Sequence, residues 1–205
     1  MNIFLWLAFT AVGFLSGSIM FCRIIPALIT HKDICAISDD RNPGAFNVFK
    51  HCGKKIGALC LFLDILKAFA PVILAGYFLD TDSILFAFVI ASPVLGHAVG
   101  LFGGRGGKCI SASFGATAGL IPVTCLPFLL LAGIYVLFSG VVRIRPNRRC
   151  SIVVYACFAS VCAVALNLLG YYSVALGCGI VSATAIVKHL NFRLRRSEVN
   201  ENAVD

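Results

Sequence analysis

Long apolar stretches alternate with short basic segments along this chain of 205 residues. Of its 17 Lys and Arg residues, all but Lys67 fall in four polar segments. These segments are 23–55, 105–108, 143–149 and 188–196. The connections at 80–82 and 170–173 carry acid or no charge. In multi-span membrane proteins basic loops stay in the cytosol and loops without them cross, so the alternation predicts a polytopic membrane protein.

The apolar stretches are long enough for helices that cross a bilayer, which needs about 20 residues per span. The stretch 110–142 would form a helix of about 50 Å if it were unbroken, but Pro122 and Pro127 interrupt it near its middle. Two short spans there, the first at about 111–121, keep all four basic segments on one side of the membrane. The other spans are predicted near 2–21, 56–79, 84–102, 151–169 and 172–188.

The sequence therefore predicts an all-α integral membrane protein of seven transmembrane helices, with its N-terminus outside and its C-terminus in the cytosol. Residues 1–196 form one polytopic domain in this prediction, and 197–205 form a short polar cytosolic tail. The first apolar stretch has its basic residue, Arg23, after it, which is the wrong polarity for a cleaved signal peptide. Small residues at four-residue spacing, such as Gly13 and Gly17, predict close helix packing.

Composition agrees with a membrane protein and excludes other classes. Hydrophobic residues make up 60% of the chain, charged residues 13%, and the mean hydropathy is +0.95. In a chain this apolar, the net charge of +8 is better matched to anionic lipid headgroups than to nucleic acid. The ten cysteines contain no Cys-x-x-Cys pair, so no metal site is predicted.

The first polar constellation, at 39–50, reads DDRNPGAFNVFK. Its first six residues are typical of an exposed turn, which is the simpler interpretation. The surrounding segment, 22–55, is long for a compact membrane protein, and long connections of this kind are commonly functional. Apolar residues are interleaved with Asn and Lys in the second half of the constellation, unlike in a disordered tract. A functional loop is therefore predicted.

The second constellation is Gly96-His97, followed by the glycine-rich sequence GGRGGK at 103–108. Glycine lets backbone N–H groups approach an oxyanion closely, and Arg105 and Lys108 supply positive charge. The loop is not a Walker A motif, because Phe and Cys occupy the positions of that motif's first Gly and its Ser or Thr. A phosphate-binding loop and a bare turn between two spans both stay open as interpretations.

Two further polar groups lie at or inside predicted spans. The basic segment 188–196 follows the last span, where such clusters usually anchor topology, but anchoring does not explain His189 and Asn191. Asp64 and Lys67 lie one helical turn apart inside the second span. Charged residues within a span are costly and commonly functional, although a structural ion pair is an equally good interpretation.

In this order, the three constellations resemble the motifs of the PlsY family, the acyl-phosphate-dependent glycerol-3-phosphate acyltransferases of bacterial membranes. That family has a loop reading Gly-Ser-Gly-Asn-x-Gly-Ala-Thr-Asn-Val-x-Arg, then Gly-His followed by Lys-Gly-Gly-Lys-Gly-Val-Ala-Thr, and finally His-x-x-Asn-Ile-x-Arg. Residues 42–48, with Lys50, resemble the first motif, and 96–97 with 105–108 resemble the second. The segment 64–67 is similar to the family's Asp-x-x-Lys. The similarity runs from about Gly17 to Arg196.

The chain departs from the family pattern in all three motifs. Asp40 stands where the family has serine, with Ser38 two residues earlier, and both Arg41 and Cys109 replace glycines. The third motif is one residue short, so that aligning Asn191 puts Lys188 in the histidine position, while aligning His189 displaces Asn191. These departures keep open a non-catalytic relative that binds phospholipid precursors.

The resemblance implies roles for individual residues. It places Lys108, Asn42, Asn47 and His189 in catalysis. It places Lys50, Gly44, Arg105, Gly106, Gly107, His97 and Asn191 in binding of substrate phosphate. It leaves open the roles of Asp40, Ser38, Lys188, Asp64 and Lys67. Arg148 lies in a loop without a recognisable motif and is expected to contribute little.

The implied reaction transfers a fatty acyl group from acyl phosphate to the 1-hydroxyl of glycerol 3-phosphate, giving lysophosphatidic acid and phosphate. It would open phospholipid synthesis at the cytosolic face of the bacterial cytoplasmic membrane. It needs no metal or other cofactor, and the partners are the two substrates, membrane lipid and an enzyme that supplies acyl phosphate. No His-x4-Asp dyad is present in the chain. A small-anion transporter or channel is the competing class, and it would place polar residues deep in several spans.

Overall fold

The computed structural model describes residues 3–102 and 104–201, and describes side chains as far as Asn191. All regular secondary structure in these ranges is helical, which confirms the predicted all-α class. The helices are α1 (Ile3–Gly17), α2 (Phe21–Thr30), α3 (Ile34–Ile37), α4 (Ala45–Cys52), α5 (Lys54–Phe78), α6 (Phe86–Val99), α7 (Ile110–Ala118), α8 (Leu126–Val136), α9 (Asn147–Leu168) and α10 (Tyr172–Glu201). A π-helical segment, Leu137–Val141, continues α8.

Seven of the helices coincide with the predicted apolar segments, namely α1, α5, α6, α7, α8 with its π-helical continuation, α9 and the apolar part of α10. Within the described residues, three stretches are long and apolar enough to cross a membrane by length and composition. They are Lys54–Phe78, Asn147–Leu168 and Tyr172–Asn191. The predicted break within 110–142 is present, since α7 ends at Ala118 and α8 begins at Leu126.

The polar segment between the first two predicted spans is not one loop, since it contains α2, α3 and α4. Apolar side chains of this segment face inward and form a small core with α5, in which Cys22, Ile34, Val48 and Cys60 are fully buried. Asp33 caps α3 by accepting a hydrogen bond from the Cys35 N–H at 2.9 Å. This helical layer holds the first constellation in a fixed position.

Glycines bring the helix backbones of α1, α5, α6 and α7 into direct contact. A Cβ atom on Gly17 would lie 2.0 Å from the Pro93 carbonyl oxygen, and one on Gly96 would lie 2.0 Å from the Phe14 carbonyl oxygen. A Cβ atom on Gly115 would similarly lie 2.2 Å from the Ile65 oxygen. The close packing predicted from glycine spacing is therefore confirmed at these crossings.

The basic segments of the chain meet at one end of the helical bundle. Lys108 reaches Asp40 at 2.6 Å, Lys188 Nζ donates to the Ala98 oxygen at 2.7 Å, and Arg148 Nε donates to the His189 oxygen at 2.8 Å. At the other end, the two connections without basic residues meet, because the Ser173 hydroxyl donates to the Thr81 oxygen. The predicted tail, 197–205, lies outside the residues whose side chains are described.

Candidate active site

Asp40 lies at the centre of the polar contacts between the first two constellations. Its Oδ2 accepts a hydrogen bond from Lys108 Nζ at 2.6 Å, and its Oδ1 accepts from Asn47 Nδ2 at 2.8 Å and from the Asn42 N–H at 3.2 Å. Asn47 Nδ2 also donates to the Asn42 carbonyl oxygen at 2.8 Å. The turn after α3, the start of α4 and the loop before α7 are thereby joined in one network.

Burial alone would raise the pKa of Asp40, but its hydrogen bond and charge attraction to Lys108 outweigh this effect. The Asn47 amide and the Asn42 N–H act in the same direction, so the pKa of Asp40 lies below its usual range. The Lys108 side chain is only 16% exposed, whereas that of Asp40 is 37% exposed. Asp40 is therefore a carboxylate at neutral pH, and it neutralises a largely enclosed lysine.

Two polar atoms in the same turn are buried without a hydrogen-bond partner in the described part of the chain. They are the Ser38 hydroxyl oxygen and Asn42 Oδ1. Buried polar groups are normally paired with protein or ordered water. The Ser38 hydroxyl and Asn42 Oδ1 can therefore form hydrogen bonds in addition to those that fix Asp40.

The glycine loop packs directly on the C-terminal end of α6. The Gly107 N–H donates to the His97 carbonyl oxygen at 3.0 Å, and a Cβ atom on Gly107 would lie 2.4 Å from His97 Nε2. A Cβ atom on Gly106 would lie 1.8 Å from the Ala98 oxygen. His97 itself is only 2% exposed. Gly106, Gly107 and His97 therefore have a packing role, in addition to the predicted role in binding phosphate.

Two departures from the family pattern keep a backbone conformation that glycine favours. Arg41 has a φ of 49° and Cys109 a φ of 68°, both in the left-handed region. The family motifs quoted above have glycine at both positions. The Cys109 thiol is buried, and burial raises its pKa to about 12. Cys109 is therefore a neutral, buried residue. Its backbone has the left-handed conformation that a glycine at this position would favour.

His189 lies in α10 and is almost fully buried. Its Nδ1 is 2.8 Å from the Ala185 carbonyl oxygen, and its ring centroid is 6.4 Å from that of Tyr155. Its neighbour Lys188 points to the end of α6 and reaches the Ala98 oxygen, against which Gly106 of the glycine loop also packs, so the third constellation adjoins the second.

Arg148 contributes a contact that the sequence does not show. It stands near the start of α9, and its Nε donates to the His189 carbonyl oxygen at 2.8 Å. Its charge also acts on the His189 imidazole. The loop around Arg148 has no motif that would reveal this contact, because α9 and α10 come together only in the folded chain.

The remaining predicted phosphate ligands are more peripheral. Lys50 forms an exposed ion pair with Asp39 at 2.9 Å, and hydrogen bonding to Lys50 holds the pKa of Asp39 below its usual range. Gly44 is the N-cap residue of α4, and Asn191 is exposed on α10. Arg105 is partly buried in the glycine loop.

The Asp64–Lys67 pair supports the helices next to the site. Lys67 Nζ lies 2.8 Å from Asp64 Oδ1 and donates to the Ile19 carbonyl oxygen. Asp64 Oδ2 accepts from the Cys22 thiol at 3.1 Å and from the Ser111 hydroxyl at 3.4 Å. The pair is fully enclosed, and its contacts extend to α2, α7 and the connection after α1. This geometry agrees with a structural role for the ion pair, which links neighbouring helices.

Sequence comparisons identify the family of this chain. The family described as "Glycerol-3-phosphate acyltransferase" matches residues 7–196. A glycerol-3-phosphate acyltransferase of Hydrogenobaculum sp. is 33% identical over 199 residues, which cover 91% of each chain. One from Aquifex aeolicus is 36% identical over 125 residues, or 60% of this chain and 64% of the relative. The chain belongs to the glycerol-3-phosphate acyltransferase family.

Solved structures agree with this membership. The fold is similar to a crystal structure of PlsY, an integral membrane glycerol 3-phosphate acyltransferase, in its glycerol 3-phosphate form. The TM-score is 0.72 at 29% identity, covering 97% of this chain and 92% of that one. The lysophosphatidic acid form of PlsY gives a TM-score of 0.69 at 28% identity. The predicted family, enzyme class and membrane-protein class are confirmed, and the transport alternative is not supported.

Proposed function

We propose that this glycerol-3-phosphate acyltransferase takes its acyl group from acyl phosphate and places it on the 1-hydroxyl of glycerol 3-phosphate. The products are lysophosphatidic acid and inorganic phosphate. The observation that carries the proposal is the network of Asp40, Asn47 and Lys108, which joins two motifs distant in sequence beside the buried His189. Membership in the family supports the acceptor, and the family resemblance of these motifs supports the donor.

The proposed chemistry needs positioning and charge stabilisation more than a strong base. The hydroxyl oxygen attacks the acyl carbonyl carbon, the bond to the phosphate oxygen breaks, and the departing phosphate takes the proton. Acyl phosphate is a mixed anhydride with a good leaving group. Lys108 would stabilise negative charge on the phosphate and the developing oxyanion, while Asn42 and Asn47 orient the reacting groups. This reaction needs neither a metal ion nor an organic cofactor.

The same proposal includes a topology. Seven spans, an outside N-terminus and a cytosolic C-terminus would place the four basic segments, and the network between them, at the cytosolic face of the bacterial cytoplasmic membrane. The meeting of these segments at one end of the bundle supports this arrangement. In it, 1–196 is one membrane domain and 197–205 a cytosolic tail. A soluble acyl phosphate-producing enzyme would supply the donor from that side.

A direct assay tests the reaction. Purified protein in detergent is incubated with radiolabelled glycerol 3-phosphate and either palmitoyl phosphate or palmitoyl-CoA, and lysophosphatidic acid is measured. We expect product with palmitoyl phosphate and little with palmitoyl-CoA, because the chain has no His-x4-Asp dyad to activate the hydroxyl. Equal rates with the two donors would contradict the proposed donor. Binding of glycerol 3-phosphate without product from either donor would support a non-catalytic relative instead.

A further inference from the structure

Two consecutive acidic residues of the first constellation each hold a lysine to which the family resemblance gives a role in binding or catalysis. Asp39 Oδ2 lies 2.9 Å from Lys50 Nζ, and Asp40 Oδ2 lies 2.6 Å from Lys108 Nζ. The family loop quoted above has Gly-Ser at these two positions, neither of which carries charge. This chain therefore places two carboxylates where the family pattern has none.

The two ion pairs differ in how strongly they bind their lysines. Asp39 and Lys50 are both exposed, so water screens the attraction between them. Lys108 is largely enclosed, and its partner Asp40 is fixed by further hydrogen bonds from Asn47 and the Asn42 backbone. The pKa of Asp40 is lowered, mainly by Lys108 against the opposing effect of burial. The Asp40 pair is therefore the more enclosed of the two and the one with further hydrogen bonds to its carboxylate.

A phosphate that approaches Lys108 meets the charge of Asp40. An ammonium group has three hydrogen-bond donors, and Asp40 occupies one of them at short distance. Two like charges at about 4 Å repel each other measurably even in water, and more strongly in a partly enclosed site. Asp39, on the same turn, carries a further negative charge near Asp40. Asp40 thus weakens phosphate binding while it occupies the lysine.

We propose that Asp40 is an internal competitor for the phosphate site: its carboxylate holds Lys108 in the substrate-free protein, and a substrate phosphate binds by displacing it. This inference rests on the proposed function and specifies what sets its substrate affinity. Either substrate phosphate, on the acyl donor or on glycerol 3-phosphate, would encounter the same carboxylate.

The test measures binding of inorganic phosphate to the full-length protein in detergent by titration calorimetry. The variants are Asp40→Ser, which restores the family residue, and the isosteric Asp40→Asn. The control is Asp80→Asn, which removes the same charge from an exposed connector at the opposite end of the bundle. We expect phosphate to bind about tenfold more tightly to both Asp40 variants, a gain of about 1.4 kcal/mol. The control should bind phosphate as the unaltered protein does.

Several outcomes would overturn the inference. Unchanged or weaker phosphate binding in both Asp40 variants would show that Asp40 only supports Lys108. An equal gain in Asp80→Asn would assign the effect to net charge. Loss of turnover in the Asp40 variants with unchanged phosphate affinity would place Asp40 in the chemistry. The acylation assay on the unaltered protein tests the proposed reaction separately. If that assay gives no product, the phosphate-binding measurement still tests the competition between Asp40 and phosphate. Thermal unfolding of each variant verifies that it is folded.

Discussion

At the residue scale, Lys108 is the side chain on which the proposed chemistry depends most. It follows two glycines that pack on α6, and it binds Asp40, which also accepts a hydrogen bond from Asn47. Its position is therefore fixed from both sides. Once a substrate phosphate has displaced Asp40, a cation placed in this way can stabilise charge that develops during the reaction.

We expect Lys108→Met to lower turnover about 10²–10³-fold, as loss of a group that stabilises transition-state charge does. The measurement is the rate of lysophosphatidic acid formation by protein that inserts and purifies normally. The matched control is Arg145→Gln, because Arg145 is exposed and donates to Asn147 Oδ1 beside it. Equal, mild losses in both variants would mean that the glycine loop is only a turn.

Arg148 is unsuitable as that control, because it donates to the His189 backbone. We expect Arg148→Gln to reduce kcat about tenfold, with a smaller change in the KM for glycerol 3-phosphate. The physical reason is that losing a charge-assisted hydrogen bond, which contributes about 1.5–3 kcal/mol, loosens the position of His189. Arg148→Lys should recover part of kcat. Similar kcat values for Arg148→Gln and for Arg149→Gln, an exposed neighbour, would show that His189 does not depend on this contact.

At the element scale, the site depends on helices whose backbones touch. α1 and α6 meet through Gly17 and Gly96, and α6 continues into the glycine loop that carries Lys108. α7 begins directly after that loop and packs on α5 through Gly115. Any separation of these helices would move the loop relative to the first constellation.

We therefore expect Gly17→Ala and Gly96→Ala to destabilise the protein by about 1–3 kcal/mol each, as overpacking a close contact does. The control is Gly179→Ala in α10, where an added Cβ meets nothing within 4 Å. This control should be neutral or slightly stabilising, because Ala favours helix over Gly by about 1 kcal/mol. Thermal unfolding in detergent provides the comparison. If all three variants unfold at the same temperature, the crossing between α1 and α6 is looser than its geometry indicates.

At the scale of the whole molecule, the helix ends that lie together in the structure are those that the distribution of basic residues in the sequence predicts. The basic segments meet through Lys108, Arg148 and Lys188, whereas the connections without basic residues meet through Ser173 and Thr81. A bundle whose two ends differ in this way has a preferred orientation in a membrane. That asymmetry supports the proposed orientation of the bundle.

Cysteine labelling in cells tests the topology, and burial simplifies its design. Seven of the ten cysteines are buried, so only Cys52, Cys125 and Cys157 need replacement before single cysteines are introduced. We expect a membrane-impermeant maleimide to label Ser83→Cys from outside, and Ser197→Cys only after the membrane is permeabilised. Labelling of both positions from the same side would contradict the seven-span arrangement.

The sequence by itself determined the all-helical class, the break within 110–142 and the family, because hydropathy, proline and the spacing of short motifs are local properties. It also brought Asn47, Lys108 and His189 under consideration as site residues. It did not reveal the helices within 23–55, since their short amphipathic faces acquire a core only against α5. Tertiary structure alone decided that Asp40 holds Lys108 and that Arg148 holds His189. These contacts join residues 68 and 41 positions apart, and such partners are set by how helices pack.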